Sequence, residues 1–275
     1  MDNRLKVLVA TQEMDPYVLE TEMANIVTEW AKYANGKEIE VRILMPRFGQ
    51  INERRHRLHE VVRLSGINII IEEDDYPLII KVASLPDTRM QVYFLDNEEF
   101  FKRKEIFADE EGAQFDDNVE RAVFFCRGVL ETIKKFGWPP DIIHCHGWIT
   151  SLIPLYIRTA YKKEPVFTNC KIIYSVYSNT ISEVLESDFY KKALISRVEA
   201  ADLEPYPDAT PTGLDIGAMN YSDAVIVSTD VANPLSVAYL HKHKTDLPSL
   251  EPNGAPLSVE DYMNFYNLLV ADTIK

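Results

Sequence analysis

The first 45 residues alternate between short apolar runs and one amphipathic stretch. Residues 5–10 read LKVLVA, a run rich in β-branched side chains that predicts a buried strand. A polar loop follows. Met23, Ile26, Val27, Trp30 and Ala34 then recur at helical spacing, and Asn35-Gly36 supplies a helix stop, which predicts a helix over 22–34. Residues 38–45 (EIEVRILM), closed by Pro46, predict a second strand. Strand, helix and strand in this order are the unit of a parallel sheet.

From residue 57 to 96 the period changes. Short β-type runs at 59–64, 67–71, 78–85 and 91–95 are separated by Ser65-Gly66 and Asp74-Asp75, which predicts an antiparallel insertion. Residues 117–136 form the strongest helical pattern. Val119, Val123, Cys126, Leu130 and Ile133 share a face, Asp117 and Glu120 stand in capping-box positions, and Gly137 ends the run. Strands follow at 141–146, 171–176 and 224–229, with helices at 151–161, 190–201 and 213–220. Residues 247–257 are rich in Pro, Asn and Gly and read as a linker. Ser258-x-x-Asp261 opens a last helix whose stripe is Tyr262, Phe265, Leu268 and Leu269. The predicted organisation is one domain over 1–246, a linker over 247–257 and a helix over 258–275 that packs back on the domain. The fold class is α/β: a Rossmann-like parallel sheet with flanking helices and an antiparallel β insertion.

Composition narrows the partners. The 275 residues are 46% hydrophobic, enough for one large core. A net charge of −14 disfavours a nucleic acid backbone or an anionic membrane surface. Three cysteines, Cys126, Cys145 and Cys170, without a C-x-x-C pair fit a reducing compartment, and no signal-peptide core or membrane-length run is present, so a cytoplasmic location is expected. No G-x-G-x-x-G follows the first strand, and no nucleophile elbow or zinc signature occurs, so no cofactor and no metal are expected.

Several segments, in order, carry a resemblance: KVLVATQEMDPY near the N-terminus, MPRFG at 45–49, the stretch from VYFLDNEEFF to DDNVERAVFFCRGVLE at 92–131, GWPPDIIHCHGW at 137–148 and SDAVIVS at 222–228. Together they resemble glycosyltransferase family five, the bacterial glycogen synthases and plant starch synthases. The resemblance implies a single half of a GT-B architecture, in which two Rossmann-like domains hold a sugar nucleotide between them. At 275 residues, one such half is expected of this chain.

Position by position, the chain departs from that family's chemistry. Where the family carries K-T-G-G-L, this chain has Leu19, Glu20, Thr21, Glu22 and Met23. The glycines let backbone approach the donor and the lysine meets its phosphates. Here bulk and carboxylates replace them. A carboxylate about 4 Å from a phosphate charge near a protein surface costs about 4 kcal/mol. In the family's H-x-H-D-W-H, Gly147 stands at the aspartate and Ile149 at the last histidine, while His144, His146 and Trp148 remain. Ile149 offers no hydrogen bond. His144 and His146 point to one face of a strand and read as a structural pair ahead of a metal site. Tyr177 stands at the histidine of the family's T-I-H-N; it either fills the emptied cleft or stacks on a saccharide. Arg47 either meets an anion or braces its turn. No catalytic residue is assigned.

Three functions compete on this reading: a non-catalytic homologue with a binding or regulatory role in α-glucan metabolism, one half of a split ADP-glucose- or UDP-glucose-dependent transferase completed by a separate chain, and an unrelated Rossmann-like binder. For the exposed cleft face the partners expected are a protein, a second copy of the chain, or a glucan.

Overall fold

A computed structural model describes residues 4–18, 21–37, 39–178 and 188–271. The chain opens with β1 (Leu5–Thr11), α1 (Glu22–Asn35) and β2 (Ile39–Pro46). It continues through α2 (Glu53–His56), β3 (His59–Glu60), β4 (Ile67–Ile71), β5 (Asp74–Ser84), β6 (Gln91–Asp96), α3 (Glu98–Phe101) and α4 (Asn118–Phe136). The second half holds β7 (Ile142–His146), α5 (Leu152–Arg158), β8 (Lys171–Val176), α6 (Phe189–Ala193), α7 (Pro211–Tyr221), β9 (Ala224–Val227), α8 (Pro234–His243), β10 (Ser249–Leu250) and α9 (Val259–Ala271).

One sheet runs β10-β9-β8-β7-β1-β2-β6-β5-β3, with β4 paired to β5 beside it. Pairing is parallel from β10 across to β6 and antiparallel around β5. The expected mixed α/β fold is therefore observed. From β1 the chain first builds outward through β2 and β6, then returns to build the other way through β7, β8 and β9. The strand order thus reverses between β1 and β7, where their carboxyl ends open a crevice.

Alternate residues of β8 show how the two faces are covered. The Tyr174 hydroxyl donates to Asp215 of α7 at 2.8 Å, while Ser175 contacts His144 on the other face. That second face carries α1 and α9, joined by Trp30 and Tyr266 with ring centroids 5.6 Å apart. Tyr262, Phe265, Tyr266 and Leu269 of α9 are buried, each contributing about 1.5–3 kcal/mol of apolar burial. The Ser258–Asp261 start is a reciprocal cap: the Ser258 amide donates to Asp261 at 2.8 Å and the Asp261 amide to Ser258 Oγ at 3.2 Å. Leu268, placed on the stripe by the sequence, is 61% exposed, and Tyr266 takes the inward position.

Four other expectations change. Asp117 makes no capping bond to α4, because its carboxylate accepts from Arg103 at 2.7 Å. Asp74 and Asp75 lie inside β5, and the reversal before it is made by Glu72 in the left-handed region (φ 54). The helix expected over 190–201 shrinks to α6, and Arg197 at φ 70 breaks the helical path. The expected linker contains β10, which pairs in parallel with Val225 and Ile226 and so extends the sheet.

Phe94, Phe100, Phe101, Phe107, Phe124 and Phe125 are buried, as expected of core. The sequence did not betray what sits among some of them. Arg121 is fully buried, its guanidinium 5.4–5.8 Å from the rings of Phe48, Phe101, Phe107 and Phe115, and it donates to Asn118 at 2.8 Å. Burial pushes its pKa down to about 9, with the Asp117 charge opposing that fall.

Candidate functional site

The crevice at the strand reversal is walled by the segments that leave β1, β7 and β8. After β1, the Thr11 hydroxyl donates to the Glu13 carbonyl at 2.8 Å, which folds the chain back and buries Glu13. Gln12 is fixed by two bonds: its amide donates to the His146 carbonyl at 3.1 Å and its side chain to Glu13 at 2.8 Å.

Thr21 caps α1, its hydroxyl accepting from the Ala24 amide at 3.0 Å, and Glu22 supplies the acid of the first turn. A helix N-terminus carries partial positive charge and attracts an anion. Here that position is met by the chain's own carboxylate. Leu19 and Glu20 lie outside the described residues.

After β7, Gly147 takes φ 86 and ψ 157. A Cβ there would stand 2.9 Å from Gln12 Cβ and 3.0 Å from Met23 Cε. Gln12 and Met23 thus occupy the space beside the position where the family carries aspartate. Ile149 is fully buried, its carbonyl accepting from Cys126 of α4 at 3.0 Å, and it does not line the crevice.

His144 and His146 stack with ring centroids 3.7 Å apart. His144 bonds to Tyr266 of α9 through Nδ1 at 2.5 Å and to Ser175 through Nε2 at 2.7 Å. His146 Nδ1 bonds to the Tyr177 hydroxyl at 2.7 Å. Burial drives the His146 pKa down to about 3; burial first and the neighbouring His146 second drive His144 well below the ordinary range. Both rings are neutral at physiological pH. Among the described residues no group of three His, Cys, Asp or Glu side chains is placed to hold a metal ion.

The space that remains between Gln12, Thr21, Glu22, Gly147, Trp148 and Tyr177 is about 60 Å³. That volume holds a few water molecules. A small-molecule site needs about 300 Å³ or more. Tyr177 and Trp148 are 5% and 3% exposed, so neither ring presents a free stacking face.

Of the residues singled out from the sequence, the fold gathers Thr21, Glu22, Trp148 and Tyr177 around this crevice, with His146 directly behind Tyr177. His144 lies deeper, under α9. Arg47 is elsewhere: its guanidinium pairs with buried Asp96 at 3.0 Å and with Glu53 at 3.4 Å, and Lys81 joins the same two carboxylates at 2.9 and 2.7 Å. Arg47 therefore braces its turn. Sequence reading missed Asp215, which lines the crevice from α7 while accepting from Tyr174 at 2.8 Å and Ser236 at 2.7 Å. It lies in no motif.

A parallel sheet whose order reverses at such a crevice, with an antiparallel edge, is the architecture of one half of a GT-B glycosyltransferase. The starch synthase catalytic domain family matches residues 6–242, and the chain belongs to that family. The glycogen synthase of Chlorobium luteolum is 39% identical over 197 residues, which are 71% of this chain and 40% of that protein. The glycogen synthase of Chlorobium chlorochromatii is 41% identical over 174 residues, 63% of this chain and 36% of that protein. The catalytic domain of starch synthase IV from Arabidopsis thaliana, solved with ADP and acarbose, superposes with a TM-score of 0.68 at 18% identity over 90% of this chain and 51% of its own, a likeness of fold. The chain spans about 40% of the length of the glycogen synthases it matches. No helix of the described residues is long and apolar enough to cross a membrane.

Proposed function

We propose that this chain is a non-catalytic homologue of the N-terminal half of a glycogen or starch synthase, acting by binding in a regulatory role tied to α-glucan metabolism. The observation that carries this reading is the crevice itself: about 60 Å³, with Glu22 at the helix N-terminus that would otherwise meet phosphate. An incoming diphosphate would lose the helix-end attraction and gain a like-charge neighbour. It would also have to displace Tyr177, which is held by His146.

The test is turnover of ADP-glucose and UDP-glucose on a glycogen primer, with isothermal titration of each nucleotide sugar into the same preparation. Absence of both turnover and saturable binding is expected. Turnover that disappears in Tyr177→Ala or Trp148→Ala would end the reading. A split transferase completed by a separate chain is the competing account, favoured by the resemblance of the segments over 92–148 to the family's motifs. Recovery from the native cell of a partner that restores turnover would establish it instead.

A further inference from the structure

In a chain with 43 acidic and 29 basic residues, arginines should find carboxylates easily. Between residues 54 and 63 they do not. Arg54, Arg55, Arg57 and Arg63 are exposed, and none of their side chains makes an ion pair among the described residues. Glu53, the neighbouring carboxylate, is already taken: it meets Lys81 at 2.7 Å and Arg47 at 3.4 Å. Glu60 stands opposite Lys81 in the β3–β5 register. The stretch is therefore a positive island on a negative protein.

Its frame is fixed before any partner arrives. Asn52 caps α2, its side chain accepting from the Arg55 amide at 2.9 Å, and the Leu58 amide closes the turn on the Glu53 carbonyl at 2.9 Å. The His56 ring packs edge-on against Tyr17, with centroids 5.0 Å apart. Arg57 ends the turn at φ 55, a left-handed position that glycine would fill without strain. An arginine there accepts strain and adds a charge. Next in the chain, β3 is the outermost strand at its end of the described sheet. The Val61 amide donates inward to the Ile80 carbonyl at 2.8 Å, so the backbone of Glu60 turns outward at this open edge. Val62 follows, 77% exposed.

Guanidinium forks pair with carboxylate and with phosphate alike. Three features favour carboxylates carried on a polypeptide. Residues 51–66 contain no Phe, Tyr or Trp on which a base could stack. The net charge of −14 repels a polyphosphate that runs past the island. The outward backbone of Glu60 and the bare Val62 side chain suit an extended peptide, which brings main-chain partners and apolar side chains as well as charge. A second copy of this chain carries the same −14 and is repelled over the rest of its surface.

We propose that the surface over 54–63 docks an extended acidic segment of a partner protein. None of these residues lines the crevice, so the proposal goes beyond the loss of sugar transfer and stands apart from any assay of turnover.

The experiment is fluorescence anisotropy of a labelled acidic peptide, glutamates flanking two valines, titrated with the full chain. A lysine peptide of the same layout and a labelled oligothymidine are run beside it, and the chain alone is sedimented. Saturable binding of the acidic peptide is expected, weakening as salt rises from about 50 to about 200 mM, with no binding of the lysine peptide and weaker binding of oligothymidine. The double variant Arg54→Gln/Arg55→Gln should keep its melting temperature and lose about tenfold or more in affinity. Arg57→Gly should also melt near the parent temperature, because relief of strain offsets the added freedom of the unfolded chain, yet bind severalfold more weakly. Val62→Ser should weaken binding without changing its salt dependence. No saturable binding of the acidic peptide, binding unchanged in the double variant, oligothymidine bound as tightly as the peptide, or a self-associated chain that the double variant dissociates would each overturn the proposal.

Discussion

The hydroxyl of Tyr177 lies 2.7 Å from Nδ1 of His146, across the ends of two adjacent parallel strands. This bond fixes a tyrosine over a fully buried, neutral imidazole and closes the crevice from behind. Removing only the hydroxyl, in Tyr177→Phe, leaves His146 Nδ1 buried without a partner. The expected loss is about 1–3 kcal/mol of unfolding free energy, read from urea melts at pH 7. The fold should persist, with an unchanged far-ultraviolet dichroism spectrum.

The two histidines make stability depend on pH in one direction. Unfolded histidine titrates near 6.5, whereas folded His146 titrates at about 3 and His144 also well below 6.5. Between those values the unfolded chain binds more protons than the folded one. Stability is therefore complete above pH 6.5 and is lost as pH falls toward 3. Each histidine contributes a slope of up to about 1.4 kcal/mol per pH unit. Urea midpoints measured at pH 7 and pH 5 should differ accordingly, and His146→Gln should flatten the dependence.

Gly147→Asp restores the residue type that the family carries in this motif. In this chain it forces a side chain into a φ of 86, a region that disfavours L-residues, and drives Cβ to 2.9 Å from Gln12. Backbone strain and overpacking each cost about 1–3 kcal/mol. Thermal unfolding should shift down by several degrees, and pairing the change with Gln12→Gly should recover part of the loss.

The terminal helix offers a paired comparison of neighbouring leucines. Leu269 is 6% exposed and Leu268 is 61% exposed. Leu269→Ala should cost about 2 kcal/mol or more. Leu268→Ala should stay within about 0.5 kcal/mol. Equal effects in denaturant melts would show that α9 does not seat as described.

Much of this architecture could be read from periodicity. The β1–α1–β2 unit, α4 and β7 to β9 announce themselves through uninterrupted apolar runs or a single helical stripe, which is the signal that burial on one or both faces imposes. What stayed hidden depends on contacts between distant segments. Asp117 has the chemistry of a cap, but nothing local reveals that Arg103 claims its carboxylate. Two residues of β10 inside a proline-rich stretch carry no period at all. Tyr266 turns inward because His144 waits 122 positions away. At the crevice, Thr21, Glu22, Trp148 and Tyr177 lie together because the segments that leave their strands converge by topology. Asp215 belongs to a later element, and only the folded chain brings it near.

Gln12 and Met23 press on the bare backbone of Gly147, which ties these three positions into one packing unit. A side chain at 147 fits only where a neighbour shrinks to receive it, so substitutions within the trio do not add, and each position sets what the other two can hold.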